Sequence, residues 1–336
     1  MPYGQEDSYQ QNKAQDVGGR YKIIQKIGRG GMGTVYRVYD KLLSRELALK
    51  VLSDDQFGKE ERLRFQREAA TIAKLRHEHI IRLYDCGEYN GYPYFTMDLI
   101  EGENLFEMCK KKKRGFPAKY IAEIMAQVAD AVHYANEQGI IHRDLKPDNI
   151  MIDPTGKPVV MDFGLAKVQH AETKLTCDGT MLGTLIYIAP EYVSGKVKDV
   201  DAQNDVYAIG VILYEMLTRY NPFHGRTHTD TMDKILFGKV PKPSKKNPRI
   251  PKSLENICLK AMERSKKSRY ASAYDLKKDL EAFLRGKKIV YKNSSLPSLS
   301  SLSQQFQNPK VVMMALITTI FIIITITLVL LLVYAR

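Results

Sequence analysis

The chain has 336 residues, 44% of them hydrophobic and 26% charged, which is enough for one large or two modest domains with a core and argues against global disorder. Lys and Arg number 51 against 38 acidic residues, a net charge of +13 that favours anionic partners such as nucleic acid, phosphorylated ligands or acidic lipid. Cys86, Cys109, Cys177 and Cys258 are scattered without metal-ligand spacing, so neither a zinc site nor a disulfide framework is supported, and reduced thiols are expected.

Residues 1–20 are polar and Gln-rich and read as a flexible lead; no apolar secretory signal is expected there. From Tyr21, "YKIIQKIGRGGMGTVYRVYD" and "ELALKVL" predict three short strands with a tight loop between the first two. "KEERLRFQREAATIAKLRH" predicts a helix with Leu63, Phe65, Ala69, Ile72 and Leu75 near one face. "IIRLYDCGEY" and "YPYFTMDLI" predict two further strands, so the first part of the chain is expected to be a mostly antiparallel sheet with one helix.

After Glu101 the pattern turns helical. "PAKYIAEIMAQVADAVHYANEQG" opens on a Pro suited to a first helical turn and closes on Gly139. "DVYAIGVILYEMLT" is apolar nearly all round, as expected of a helix at a domain centre. The expected class is therefore α+β, a small sheet lobe joined to a larger helical lobe, with a ligand cleft between them.

Residues 286–310 are Ser-rich and read as a linker, with an irregular wrap on the domain as the alternative. Residues 311–333 carry no charge; at about 1.5 Å per residue they reach roughly 34 Å, enough for one membrane-spanning helix. A buried core helix is the competing reading. Lys287, Lys288, Lys292 and Lys310 precede this run and Arg336 follows it in the tail 334–336, a bias that places the N-terminal side in the cytoplasm. With so short a tail, activation is expected to act through the cytosolic face, the lipid or lateral association of the helix.

The chemistry concentrates in a few stretches. "IGRGGMGTV" sets Gly28, Gly30 and Gly33 as G-x-G-x-x-G, a spacing that dinucleotide-binding folds share. Here the loop lies between two strands, and Lys50 follows on the next one, which suits a flap over a triphosphate with Lys50 neutralising phosphate charge. In "IIHRDLKPDNIMI", Asp144 can take an acceptor proton, Lys146 can neutralise a moving phosphoryl group, and Asn149 can ligate a divalent metal. "VVMDFGLAK" offers Asp162 as a second hard oxygen ligand for magnesium.

Taken in order with "IAPE", these motifs resemble the eukaryotic-like (Hanks-type) Ser/Thr protein kinases, bacterial style, over about residues 21–285. The resemblance implies a bilobal kinase fold, here expected with a C-terminal transmembrane helix, and transfer of the ATP γ-phosphoryl group to Ser/Thr hydroxyls of proteins. It implies a nucleotide site of Ile27, Gly28, Arg29, Gly30, Gly31, Met32, Gly33, Thr34, Val35 and Lys50, completed by Met97 behind the adenine and a hinge from Asp98 to Ile100. It makes Asp144, Lys146, Lys50 and Glu68 catalytic, with Glu68 pairing Lys50, and Asn149 and Asp162 ligands of Mg2+, for which Mn2+ can substitute. Ile72, Phe163 and His142 are expected to stack between the lobes, Asp205 to hold the catalytic loop, and Glu191 to pair with Arg269.

Lys146 and Thr184 match the Ser/Thr pattern, whereas Tyr207 stands where Trp is common. Arg143 beside Asp144 can pair with a phosphate, which predicts control by autophosphorylation at Thr176 or Thr180, and less so Thr173, with self-association for trans-autophosphorylation. The run "KKKKR" at 110–114 reads as a solvated face, a lipid contact or a recruiter of acidic substrates, and no nucleic acid partner is expected. A nucleotide-binding scaffold without turnover and a small-molecule phosphotransferase are the rival readings.

Overall fold

The computed structural model describes residues 16–30, 33–52, 59–163, 185–195 and 201–290. The first part is a six-stranded sheet in the order β1-β2-β3-β4-β6-β5, every neighbouring pair antiparallel. Its strands are β1 (Asp16–Val17), β2 (Tyr21–Gly30), β3 (Gly33–Asp40), β4 (Arg45–Leu52), β5 (Leu83–Tyr89) and β6 (Tyr92–Met97). β4 is largely apolar because both of its faces are covered, Leu47 and Leu49 lying in one buried cluster and Ala48 and Leu52 in the other. One face carries a small cluster of Val17, Tyr21, Val38, Leu47, Leu49 and Tyr94. The other joins the main core.

Helix α1 (Lys59–Ile72) packs near β5 with Phe65, Ala69 and Ile72 buried. Leu63, expected on that face, is 46% exposed. The buried three stand at i, i+4 and i+7, one stripe of a helix, whereas Leu63 is two residues from Phe65 and so points about 200° away. Leu75, beyond the helix end, is buried as expected.

Two further expectations are corrected. Asp16 to Arg20 were assigned to the flexible lead, yet β1 pairs with β2 and Val17 is fully buried. Arg20 makes a two-pronged ion pair with Asp40 at 2.8 and 3.0 Å and reaches Asp85 at 3.0 Å. Ile80 and Ile81, expected in a strand with Leu83, instead tie this part to the helical one: Ile80 bridges Val160, and the Ile81 N–H donates to the Val160 carbonyl at 3.0 Å.

Asp40 is fully buried and also accepts the Leu42 and Leu43 amides. Burial raises its carboxyl pKa, but Arg20 and those amides outweigh that and hold it below the ordinary carboxylate range. A depressed folded pKa stabilises the protein above the unfolded value and loses that contribution as pH falls through the folded one. Asp40→Asn should therefore cost about 2 kcal/mol near neutrality, and denaturant titrations should show the gap to wild type closing only below about pH 4.

The helical part begins with β7 (Glu103–Asn104) and α2 (Leu105–Lys111), where the Asn104 side chain caps the helix by accepting the Glu107 N–H at 2.8 Å. α3 (Ala118–Glu137) follows Pro117 and ends before Gly139, whose φ of 75° gives the left-handed stop. A short turn (Pro147–Asn149) then leads into β8 (Ile150–Ile152) and β9 (Pro158–Val160), which form a three-stranded sheet with β7. α4 (Pro190–Val193) precedes α5 (Ala202–Thr218), which opens on a capping box between Asp201 and Asn204 and is buried along nearly all its length. α6 (His228–Leu236), α7 (Pro243–Lys246), α8 (Lys252–Ala261) and α9 (Ala273–Leu284) complete the described fold.

α5 crosses α8 at Gly210, where a Cβ would stand 2.8 Å from the Ala261 Cβ; only glycine lets the two helices come this close. One continuous core runs from β4 and α1 through α3, β8 and β9 to α5, α8 and α9. The described residues thus form the expected sheet and helical lobes on a shared core.

Candidate active site

Strands β2 and β3 form the Gly-punctuated hairpin, with Gly28 opposite Val35 and Gly30 opposite Gly33. Gly33 has a φ of 148°, and a Cβ there would lie 2.1 Å from the Val51 carbonyl oxygen. Only glycine fits where the hairpin closes onto β4. Ile27 and Arg29 are exposed on β2, Thr34 and Val35 are half-buried on β3, and Gly31 and Met32 lie outside the described residues.

Lys50 is buried on β4, paired in register with Val35 on one side and Phe95 on the other. Its ammonium forms an ion pair with Asp162 at 2.6 Å. This contact differs from the expected Lys50–Glu68 pair: among the described residues Asp162 is the acid that Lys50 meets, and Glu68 is half-buried on α1. A single ammonium held this closely by one carboxylate has satisfied its charge there.

Met97 is buried at the end of β6, opposite Ala48 and Leu83. The chain leaves it through the half-buried Asp98, Leu99 and Ile100. The Asp98 N–H donates to the Arg82 carbonyl at 3.1 Å, and the Tyr84 hydroxyl donates to its carboxylate at 2.6 Å. Sequence reasoning missed Tyr84 as the brace of this hinge. A tyrosine on the neighbouring strand carries no local sign of that role.

The loop before β8 collects the remaining chemistry. Asp144 and Asn149 are buried. The Asn149 amide donates to the Asp144 carbonyl at 2.8 Å and to its carboxylate at 3.1 Å, and the Lys146 ammonium stands 3.1 Å from the same carboxylate. The other carboxylate oxygen, Asp144 Oδ1, is buried and makes no hydrogen bond among the described residues. A buried acceptor left open is costly unless something is to be received there.

Asp205, buried in the first turn of α5, holds this loop by its backbone. It accepts the His142 N–H at 2.9 Å and the Arg143 N–H at 3.0 Å, while Asn136 from α3 donates to it at 3.3 Å. Asn136 was not found from the sequence. Arg143 and Asp162 both have left-handed backbones, φ 65° and 58°, a strain of order 1–3 kcal/mol each that the surroundings must hold. His142 is fully buried, bonds through Nε2 with the Met161 carbonyl at 2.9 Å and packs its ring 4.6 Å from that of Phe163. Of the expected stack between the lobes, the His142–Phe163 contact is present, and Ile72 is buried in the same main core as Phe163.

The donor set suits a hard divalent cation. Asn149 commits its amide nitrogen to Asp144 and keeps its carbonyl oxygen, and Asp162 supplies a carboxylate. No cluster of three or more His, Cys, Asp or Glu side chains capable of holding a metal occurs among the described residues. Magnesium takes one or two protein ligands and completes its shell from phosphate and water, so Asn149 and Asp162 would fit it.

Behind the site, Glu191 on α4 pairs with Arg269 through both guanidinium nitrogens, at 2.8 and 3.1 Å. The Tyr187 hydroxyl donates to Glu215 at 2.8 Å and Asn221 donates to the same oxygen at 3.1 Å, a contact no local pattern announced. Thr173, Thr176, Thr180 and Thr184 lie outside the described residues.

A family model described as a protein kinase domain matches residues 21–280. The chain is 37% identical over 266 residues to the serine/threonine-protein kinase PrkC of Bacillus subtilis, a match covering 79% of this chain and 40% of that protein. It is 37% identical over 263 residues to a probable serine/threonine-protein kinase PknB of Lactococcus lactis, covering 78% and 41%. It is 35% identical over 264 residues to PknL of Mycobacterium tuberculosis, covering 78% and 65%. Thus it spans about two fifths of the length of PrkC and PknB. Among solved structures, the kinase domain of Mycobacterium tuberculosis PknI superposes with a TM-score of 0.63 at 26% identity, over 81% of this chain and 98% of that one.

Proposed function

Because the chain belongs to the protein kinase family, we propose that it is a serine/threonine kinase that transfers the γ-phosphoryl group of ATP to Ser and Thr hydroxyls of proteins. The observation that carries the reading is the buried, unpartnered Asp144 Oδ1 beside Lys146 and Asn149. The hairpin backbone around Gly28 and Gly30 receives the phosphates, and Lys50 neutralises the two that are not transferred. Asp144 accepts the hydrogen bond of the incoming hydroxyl and takes its proton as the new bond forms, while Lys146 offsets the charge on the moving group. Asn149 and Asp162 would hold Mg2+, which when bound would supply further neutralisation of phosphate charge.

Incubating the full chain with labelled ATP, Mg2+ and a Ser-, Thr- and Tyr-containing protein mixture should give phosphoserine and phosphothreonine. Phosphotyrosine as the main product, or no transfer at all, would sink the assignment.

Control by autophosphorylation within the 162–191 segment belongs to the same proposal. The Nε of Arg143 is buried without a hydrogen bond among the described residues, as suits an arginine that waits for a phosphate. The Lys50–Asp162 pair also supports it, because completing a kinase site requires Lys50 to meet the α1 glutamate and Asp162 to meet the metal. Thr176 and Thr180 remain the proposed acceptors, ahead of Thr173, with transfer between two copies.

We further propose that residues 311–333, which lie outside the described residues, anchor the kinase in a membrane with the catalytic part in the cytoplasm. The lysines that precede the run support this orientation. No helix among the described residues is long and apolar enough to cross a membrane.

A further inference from the structure

Some surface lysines meet carboxylates: Lys41 with Asp16, Lys157 with Glu78, Lys277 with Asp130 and Lys278 with Asp275. In the exposed run 110–114, Lys111 pairs with Glu103, whereas Lys110, Lys112, Lys113 and Arg114 have no ion pair among the described residues. The same holds for the exposed Lys245 and Lys246 on α7, and for Lys287 and Lys288 after α9.

An unbroken line of contacts joins these groups. The chain leaves the lobe at Ile289, whose N–H donates to Ser253 Oγ at 3.1 Å while Asn256 donates to its carbonyl at 2.9 Å, both on α8. Glu255 of α8 accepts the Ser244 N–H of α7 at 2.7 Å. From α7 the Lys246 ammonium lies 4.5 Å from the centroid of the Tyr220 ring. Next to Tyr220, the Arg219 guanidinium donates to the Lys113 carbonyl. The contacts thus connect the 110–114 run with α7 and, by way of the buried Glu255 on α8, with the exit of the chain; Tyr220, against Lys246, and Phe106, one turn before Lys110 on α2, are half-exposed.

We propose that this surface is a docking face for an anionic lipid bilayer. The occupant follows from chemistry and from connectivity. Unpaired lysines with aromatic neighbours suit phosphate-rich headgroups, and the chain that leaves this face leads into the apolar run at 311–333. The inference rests on the anchor reading for its tether. Twenty residues, 291–310, separate this face from the apolar run.

The test is lysine acetylation read by mass spectrometry on the full chain reconstituted in nanodiscs of phosphatidylcholine, with or without phosphatidylglycerol. Lys110, Lys112, Lys245 and Lys246 should react about threefold more slowly in the anionic discs. High salt should abolish the difference. Lys22 and Lys26, exposed on β2, serve as the internal reference and should react alike in both. The triple variant Lys110→Glu, Lys112→Glu, Lys113→Glu should release Lys245 and Lys246 from protection. Equal rates in the two lipids overturn the proposal, and so does slow reaction in both, which points to a protein contact over the same face. Carbonate extraction separates this from the anchor reading. If the chain is stripped from the bilayer the anchor fails, and the same labelling on vesicles with the chain added from solution still decides the docking face.

Discussion

Asp144→Asn is expected to lower kcat about a thousandfold, within the range that a positioned general base contributes. ATP affinity should change little, because the Asp144 carboxylate contacts Lys146 and Asn149, whereas the proposed nucleotide cation Lys50 contacts Asp162. The substitution is nearly isosteric and leaves the loop's main support intact, since Asp205 holds the His142 and Arg143 amides rather than the Asp144 side chain. The fold should persist. What goes is the negative charge that balances Lys146 and is proposed to accept the hydroxyl proton. Steady-state kinetics beside an ATP-analogue titration and a thermal melt separate these effects. A kcat within tenfold of wild type, with unchanged melting, would remove Asp144 from the reaction. The same protein serves as the control for autophosphorylation, because phosphate on Thr176 or Thr180 in wild type should vanish in Asp144→Asn.

The local chemistry was legible in the sequence and the long-range partners were not. Asp144, Lys146 and Asn149 lie within one short loop, where spacing alone brings a carboxylate, a cation and an amide together. Asp205 and the Glu191–Arg269 pair could be named only through family resemblance, because their partners are 62 to 78 residues away in sequence. Lys50 lies on the strand expected of it, but its partner depends on which of two acids lies nearer. No pattern in the chain sets the distance between α1 and Asp162. Arg20 was lost to a polar lead because a single buried valine and one arginine make too weak a local signal. Leu63 failed for a simpler reason, as five apolar residues were fitted to one face where helical geometry admits three of the four within α1. Tyr84 and Tyr187 show the limit from the other side: each sits in an apolar run, where only the fold reveals that its hydroxyl meets Asp98 or Glu215.

Arg269→Ala should be the most destabilising single change in the helical lobe, costing about 3–5 kcal/mol. For a unit of this size that lowers Tm by roughly 8–15 °C. Arg269 and Glu191 are both buried, so the arginine's loss leaves an uncompensated carboxylate in the interior. It also strands three carbonyls, since Arg269 donates to Gln203 at 2.9 Å, Glu263 at 2.9 Å and Arg264 at 3.2 Å. Its guanidinium packs 5.0 Å from the centroid of the Tyr207 ring, and that contact goes too. Glu191→Gln should cost less, about 1–3 kcal/mol, because the arginine keeps its carbonyl acceptors and the new amide oxygen can still accept one of its bonds. The order of the two variants is thus the sharper expectation, with the arginine ahead of the glutamate although they share one ion pair. Denaturant unfolding of each single variant and of the double variant measures it. The double variant should fall well short of the sum, because the second substitution removes a charge that the first had already orphaned. Additive losses, or a larger cost at Glu191 than at Arg269, would mean that the carbonyl cage contributes little and that the ion pair alone braces α4 against the segment before α9.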